Sequence, residues 1–164
     1  ISSGQAQTAY DALHEANMSD CLWIYNIDTY ISSGLLPDWD HSDDGCIPVF
    51  ESSNPGMSFV KYDDNDKVIQ ITEKQPISNW ASIGAYGFKS AALYKELYED
   101  AYEHKKIETV RGERYIAPMY KLLLMARKSV KAPRLMKDTV HILGTPEEIL
   151  SFDPQALPPF GSIC

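Results

Sequence analysis

Apolar residues recur along this chain at two spacings, and the switches between them mark out its elements. The opening stretch ISSGQAQTAYDALHEANMSD carries Ala9, Leu13 and Ala16 at helical spacing, which predicts a loop running straight into an amphipathic helix. CLWIYNID is a nearly unbroken apolar run and predicts a strand covered on both faces. Ser33 and Gly34 open a short irregular or helical piece ending near Pro37, and DWDHSDDG reads as a solvated polar connection. CIPVFE predicts a short strand. SFVKY and KVIQIT flank DDND, whose Asp and Asn residues tolerate the backbone of a hairpin turn. ASIGAYGF predicts another strand. KSAALYKELYEDAYEH predicts a helix with Leu93, Leu97 and Ala101 along one side, joined by Tyr94, Tyr98 and Tyr102.

Ala117 and Pro118 start a further helix, with Met119, Leu122, Leu123 and Ala126 as its buried stripe. SVKAPRLM and DTVHIL read as short strands. Thr145, Pro146 and Glu148 have the order of a capping box: N-cap, first-turn proline, and glutamate three residues on. The tail, with Pro154, Pro158 and Pro159, reads as irregular. Strands interleaved with helices predict an α/β protein with a mixed sheet, one domain over residues 1–164.

Composition narrows the partners. A net charge of −8 with lysines and arginines scattered leaves no basic stripe to follow a phosphate backbone, so no nucleic-acid partner is expected. The short cluster between Arg127 and Lys137 reads as a solvated connection. No run approaches the ~20 apolar residues that span a bilayer, so no membrane partner is expected. Cys21, Cys46 and Cys164 form no CxxC, which fits thiols used as small hydrophobes in a reducing cytoplasm. The four histidines show no ligand spacing, and DWDHSDDG fails the calcium-loop pattern because Asp43 and Val49 stand where glycine and glutamate are needed.

The stretch KVIQITEKQP poses the chemical question. An apolar strand ends in adjacent Glu73 and Lys74, with Pro76 two positions later. Alternation would send the two side chains to opposite faces, so a shared role requires the strand to end or twist there. The pair is either a solvated strand end or a grip on a polar ligand. Asp28, closing CLWIYNID, is either a turn cap or a carboxylate held at a strand's carboxyl end, where open α/β sheets gather ligand groups.

Four features occur in a telling order: GQAQTA opening the first helix, NID after the first buried strand, NPGMSFVKYDDNDKVIQITEK, and ASIGAYGF. In this order the chain resembles the sugar-phosphate nucleotidyltransferases, the nucleoside-diphosphate-sugar pyrophosphorylases. The resemblance runs from Gly4 to about Phe88, and more loosely through ERYIAPMYKLLL to GTPEE. It implies a Rossmann-like sandwich with a mixed, mostly parallel sheet. It also implies a reaction that joins a nucleoside triphosphate to a sugar 1-phosphate and releases pyrophosphate, supplying activated sugars for polysaccharide. By resemblance Asp28 holds magnesium, Lys74 meets the sugar 1-phosphate as catalytic cation, and Glu73 accepts from sugar hydroxyls. Gly56 and Gly84 let backbone lie against the sugar, and Gly4 and Gln5 belong to the base-recognition loop.

Two departures accompany the resemblance. No glycine-rich triphosphate loop stands among these residues, so the chain is expected to be the C-terminal portion of a longer domain, N-terminally incomplete and inactive alone. CLWIYNID, lacking neighbouring strands, would then favour a homodimer or a truncated product. The second departure is Ile142, which stands where many relatives carry a second metal-binding aspartate. A non-catalytic binding or regulatory module of the same fold is the alternative, and an unrelated α/β binding domain a third reading.

Overall fold

The computed structural model describes residues 2–32 and 36–156. Helix α1 (Gln5–Asp11) continues into a 3-10 turn at Ala12–Glu15, with Ala6 and Leu13 buried. Four strands follow: β1 (Leu22–Tyr25), β2 (Thr29–Ile31), β3 (Gly45–Cys46) and β4 (Val49–Glu51). The hairpin β5 (Ser58–Tyr62) and β6 (Val68–Glu73) comes next, then β7 (Trp80–Ser82) and β8 (Ala85–Phe88). Helix α2 (Ala91–Tyr98) runs into a π-helical turn at Glu99–Glu103. After α3 (Tyr120–Met125) come β9 (Val130–Lys131), β10 (Val140–Ile142) and α4 (Pro146–Phe152). Among the described residues the strands form three sheets, in the orders β1-β8-β3-β9, β10-β2 and β4-β7-β5-β6.

Two segments that read as single strands each serve two sheets. CIPVFE breaks at Ile47–Pro48 into β3 and β4, and ASIGAYGF breaks at Ile83–Gly84 into β7 and β8. The breaks lie side by side: Ile83 N donates to Pro48 O at 3.1 Å. Proline offers no ladder donor, and Gly84 supplies a left-handed backbone at φ 79°, so both chains turn from one sheet to the other at one level.

The larger core lies between the first sheet and α1, α2 and α3, around Ile47, Phe88, Tyr94, Tyr98, Tyr120 and Leu123. Tyr94 donates to Ala6 O at 2.8 Å and fastens α1 to α2. The fully buried Tyr120 hydroxyl lies 2.9 Å from both Cys46 O and Gly87 O, bracing α3 against β3 and β8. A second core, with Ile31, Phe50, Phe59, Ile83 and Val140, fills the space beneath the third sheet and the β2–β10 pair. The expected capping box is formed at α4, with Thr145 N to Glu148 Oε2 at 2.9 Å and Glu148 N to Thr145 Oγ1 at 3.2 Å.

The mixed α/β architecture matches expectation, but the sheets are not mostly parallel. Among the described strands β3–β9 is the parallel ladder and the others are antiparallel. The reason is the dominance of hairpins and of the paired crossings over βαβ units. β1 is an edge strand, half-buried, with Tyr25 41% exposed, because among the described residues β8 is its one neighbour. The polar stretch after Pro37 also conceals an anchor. Trp39 is buried edge-on to Trp23 at 5.4 Å, over the bare face of Gly87. In α3, Ala126 is exposed and Tyr120 supplies the apolar contact instead. The expectations for Ser33 and Gly34, Pro158 and Pro159, and Cys164 fall outside the described residues. No helix among those residues is long and apolar enough to cross a membrane.

Candidate functional site

The hairpin β5–β6, the break at Ser82–Gly84 and the turn after β1 enclose a cleft of about 440 Å³. That volume lies within the range of small-molecule sites. The turn Asn26–Thr29 is closed by Thr29 N to Asn26 O at 3.3 Å and by the Tyr25 hydroxyl donating to Thr29 O at 2.5 Å. It carries Asp28 on the rim, where Leu143 N donates to Asp28 O at 2.7 Å. Asp28 is exposed, and its Oδ2 lies 3.2 Å from where a Cβ on Gly144 would stand.

Glu73 and Lys74 enter the same cleft, although strand alternation would separate them. The cause is local. β6 ends at Glu73, and Lys74 adopts a left-handed backbone at φ 53° while its N still donates to Met57 O at 2.9 Å. Glu73 Oε2 accepts from Ser58 Oγ at 2.5 Å, and Ser58 Oγ lies 3.2 Å from the Tyr86 hydroxyl. Burial pushes the Glu73 carboxyl above the usual carboxylate range; the Ser58 hydrogen bond and the Lys74 charge oppose the rise, and Glu113 adds to it. Lys74 Nζ donates to the Tyr115 hydroxyl and lies 4.3 Å from that ring's centroid. The Tyr115 hydroxyl in turn donates to Glu113 Oε2.

Of the seven residues singled out from sequence, six line this cleft: Gln5, Asp28, Gly56, Glu73, Lys74 and Gly84. Gln5 Nε2 donates to Asn26 Oδ1. Gly84 acts through Asn26, since its O accepts from Asn26 N at 2.9 Å and a Cβ there would lie 2.8 Å from Asn26 Nδ2. Gly56 sits on the exposed rim, its N donating to Asn54 Oδ1 at 2.9 Å. Gly4 does not line the cleft. Its φ is 128°, and a Cβ would lie 2.8 Å from both Arg114 N and Arg114 O, so it is a packing glycine. Arg114 pins that segment by N to Ser3 O at 2.8 Å and by accepting from Ala6 N at 2.9 Å.

Sequence reasoning missed Asn26, Ser58, Tyr86, Glu113 and Tyr115. One signal was present: Glu113 and Tyr115 are two apart in the extended run ERYI, which puts them on one face. The described cleft residues bring three carboxylates, Asp28, Glu73 and Glu113, against the single ammonium of Lys74. Such a site offers one point charge to an anion and a girdle of hydroxyl, amide and carboxyl groups to a polyol. Among the described residues no group of three or more His, Cys, Asp or Glu side chains could hold a metal by itself. Ile142, not an acid, faces Asp28's side of the cleft.

The chain matches no protein-family model, and no curated protein matches it. Among solved structures it is similar to the nucleoside-diphosphate-sugar pyrophosphorylase of Vibrio cholerae RC9. The two share 31% identity at a TM-score of 0.79, over 94% of this chain and 66% of that one. A protein of Bacillus anthracis assigned as a glucose-1-phosphate thymidylyltransferase, crystallised with sucrose, is 16% identical at TM-score 0.66, over 90% of this chain and 58% of that one. The inositol-1-phosphate CTP transferase of T. maritima is 13% identical at TM-score 0.58, over 88% and 57%. The latter two likenesses concern the fold alone. The chain spans less than two thirds of each of these proteins.

Proposed function

This chain belongs to the sugar-phosphate nucleotidyltransferase family, and from that premise we propose that the cleft is the sugar 1-phosphate half of its active site. One observation carries the reading: Glu73 and Lys74, neighbours in sequence, face one cleft because Lys74 turns left-handed where β6 ends. Lys74 then meets the phosphate as a compact charge. Glu73, with Ser58 and Tyr86 behind it, accepts from ring hydroxyls, and Gln5 and Asn26 extend the polar wall toward the base of the nucleotide.

The proposed reaction is attack of a sugar 1-phosphate oxygen on the α-phosphorus of a nucleoside triphosphate. It forms the diphosphate bond of the activated sugar and expels pyrophosphate. Two anions must meet in a cleft whose carboxylates outnumber its ammonium, so further positive charge is needed. Magnesium suits this, since it uses one or two carboxylates and completes its shell with water and phosphate oxygens. Asp28 is the residue that would hold it, and the cation would neutralise charge developing between the phosphates. Lys74 and Glu73 orient the incoming sugar phosphate. A cytoplasmic setting and a role in supplying polysaccharide precursors go with this reaction, and pairing of two copies along β1 goes with its open edge; sedimentation velocity tests the pairing.

The test is calorimetric titration of the full chain with glucose 1-phosphate and mannose 1-phosphate. Lys74→Ala is expected to weaken binding at least tenfold, in line with roughly 2–5 kcal/mol for truncating one partner of a buried charge pair. A wild type that binds neither compound, or a variant that binds as well as wild type, defeats the assignment.

A further inference from the structure

The Lys74 ammonium is held, yet among the described residues nothing acidic touches it directly. Its hydrogen-bond partner is the neutral Tyr115 hydroxyl, and that hydroxyl donates its own hydrogen bond to Glu113 Oε2. We propose that Tyr115, backed by Glu113, is a positioning residue that aims the Lys74 ammonium into the cleft without cancelling its charge. The inference rests on Lys74 being the group that meets the phosphate.

The directions of the hydrogen bonds follow from counting protons. A lysine ammonium has three donors and no acceptor, whereas a tyrosine hydroxyl has one donor and two lone pairs. Because the Tyr115 proton goes to Glu113 Oε2, only its lone pairs face Lys74. The carboxylate therefore strengthens Tyr115 as an acceptor from one bond away. Among the described residues no carboxylate oxygen lies within the 4.0 Å of Lys74 Nζ that an ion pair requires. Glu73, the adjacent acid, is turned aside and accepts from Ser58. A direct Glu–Lys pair at this spot would have to be broken before a phosphate could use the charge. An interposed phenol fixes one N–H and leaves the other two free for phosphate oxygens.

The clamp stands on anchored backbone. Glu113 and Val110 exchange both backbone hydrogen bonds at 3.0 Å, closing a tight turn in which Arg111 and Gly112 take φ of 53° and 82°. Arg114 N donates to Ser3 O at 2.8 Å, and Tyr115 O accepts from the Tyr102 hydroxyl. Glu113 and Tyr115, two residues apart in this extended run, both project into the cleft, while Arg114 between them points away to Glu103 at 2.7 Å. The geometry thus separates the packing duty of Arg114 from the aiming duty of its neighbours.

A double-mutant cycle on the full chain decides the matter, using glucose 1-phosphate and mannose 1-phosphate as probes and NMR titration into the millimolar range so that weak variants stay measurable. Tyr115→Phe keeps the ring and removes only the hydroxyl; it is expected to weaken binding about five- to tenfold, the net scale of one ordinary hydrogen bond, since the lysine keeps its charge and loses only its aim. Lys74→Ala is expected to weaken it further, and adding Tyr115→Phe to Lys74→Ala to change nothing more. Glu113→Gln, which leaves an acceptor for the tyrosine proton but no charge, is expected to weaken binding about two- to fivefold. Should Tyr115→Phe cost the same factor with and without Lys74, the tyrosine acts on the sugar or on the fold, and the positioning role falls while Lys74 keeps its assignment. Should Lys74→Ala bind as wild type, or the wild type bind neither probe, the reading beneath falls and takes this one with it. Melting temperatures of all five proteins check that the variants remain folded.

Discussion

Replacing Gly84 with alanine adds one methyl group where both the backbone and a neighbour resist it. The backbone there has φ 79°, a region that costs an L-residue roughly 1–2 kcal/mol. The new Cβ would lie 2.8 Å from Asn26 Nδ2 and 2.9 Å from Asn26 Cβ and Cγ, so the whole base of that side chain must move. Overpacking of this kind adds about 1–3 kcal/mol. Together the terms predict a loss of roughly 2–5 kcal/mol, or about 5–15 °C of melting temperature at this chain length. Gly56→Ala is the internal control. Gly56 lies outside the left-handed region, and its Cβ would meet only Asn54 Oδ1, at 3.2 Å on an exposed side chain that needs to give by only a few tenths of an ångström. It should cost no more than about 1 kcal/mol, like most surface changes. Urea unfolding followed by tryptophan fluorescence measures both. Equal losses at the two glycines, or none at Gly84, would refute the claim that the break between β7 and β8 requires glycine.

Three further outcomes are expected. Burial raises the Glu73 carboxyl in the folded state, so the native protein holds that proton more tightly than the unfolded chain. The stability linked to it is present at low pH and is lost as pH rises from the unfolded carboxyl value through the raised folded one; Glu73→Gln should remove this slope, and an unchanged pH profile of urea unfolding would contradict it. Tyr120→Phe leaves Cys46 O and Gly87 O without their side-chain donor in the core and should cost about 1–3 kcal/mol, read as a shift of the urea midpoint. Thr145→Ala opens the capping box and should cost α4 about 1 kcal/mol, seen as faster amide exchange in Pro146–Phe152 while α2 is unaffected.

Much of the scaffold was legible because its elements obey local rules. The DDND turn, the α2 stripe and the capping box each depend on residues within a few positions of one another. What was illegible depends on contacts between distant segments. An apolar run such as CLWIYNID reports burial by something, not the number of covered faces; here part of that burial comes from Trp39, hidden in a stretch that reads as solvent-facing. Strand words likewise carry no label for the sheet they join, so the splits at Pro48 and Gly84 were visible only as a proline and a glycine inside strands. Within the hairpin, Tyr62 pairs with Val68, and a regular ladder from there would set Ser58 opposite Thr72. A register shift between Lys61 and Tyr62 sets it opposite Glu73 instead. One residue of slip exchanges the two faces of a strand, and it is this slip that brings the Ser58 hydroxyl to the Glu73 carboxylate.

The same hairpin shows why motif and geometry carry different information. A pair of adjacent residues on a regular strand cannot serve one ligand, so Glu73 and Lys74 are useful together only if the backbone departs from alternation between them. The structure makes that departure at Lys74 itself, in a left-handed conformation that glycine would adopt more cheaply. Glycine has no ammonium to offer. In the proposed function the strain is tolerated because the ammonium is needed there, and it is held by a backbone bond to Met57 on one side and by the Tyr115 hydroxyl on the other. A backbone outlier, a misaligned ladder and a phenol placed between two charges converge on one lysine. None of the three follows from the order of letters in EKQP: the outlier and the phenol direct that lysine toward the cleft, and the slip turns the neighbouring Glu73 to Ser58 instead.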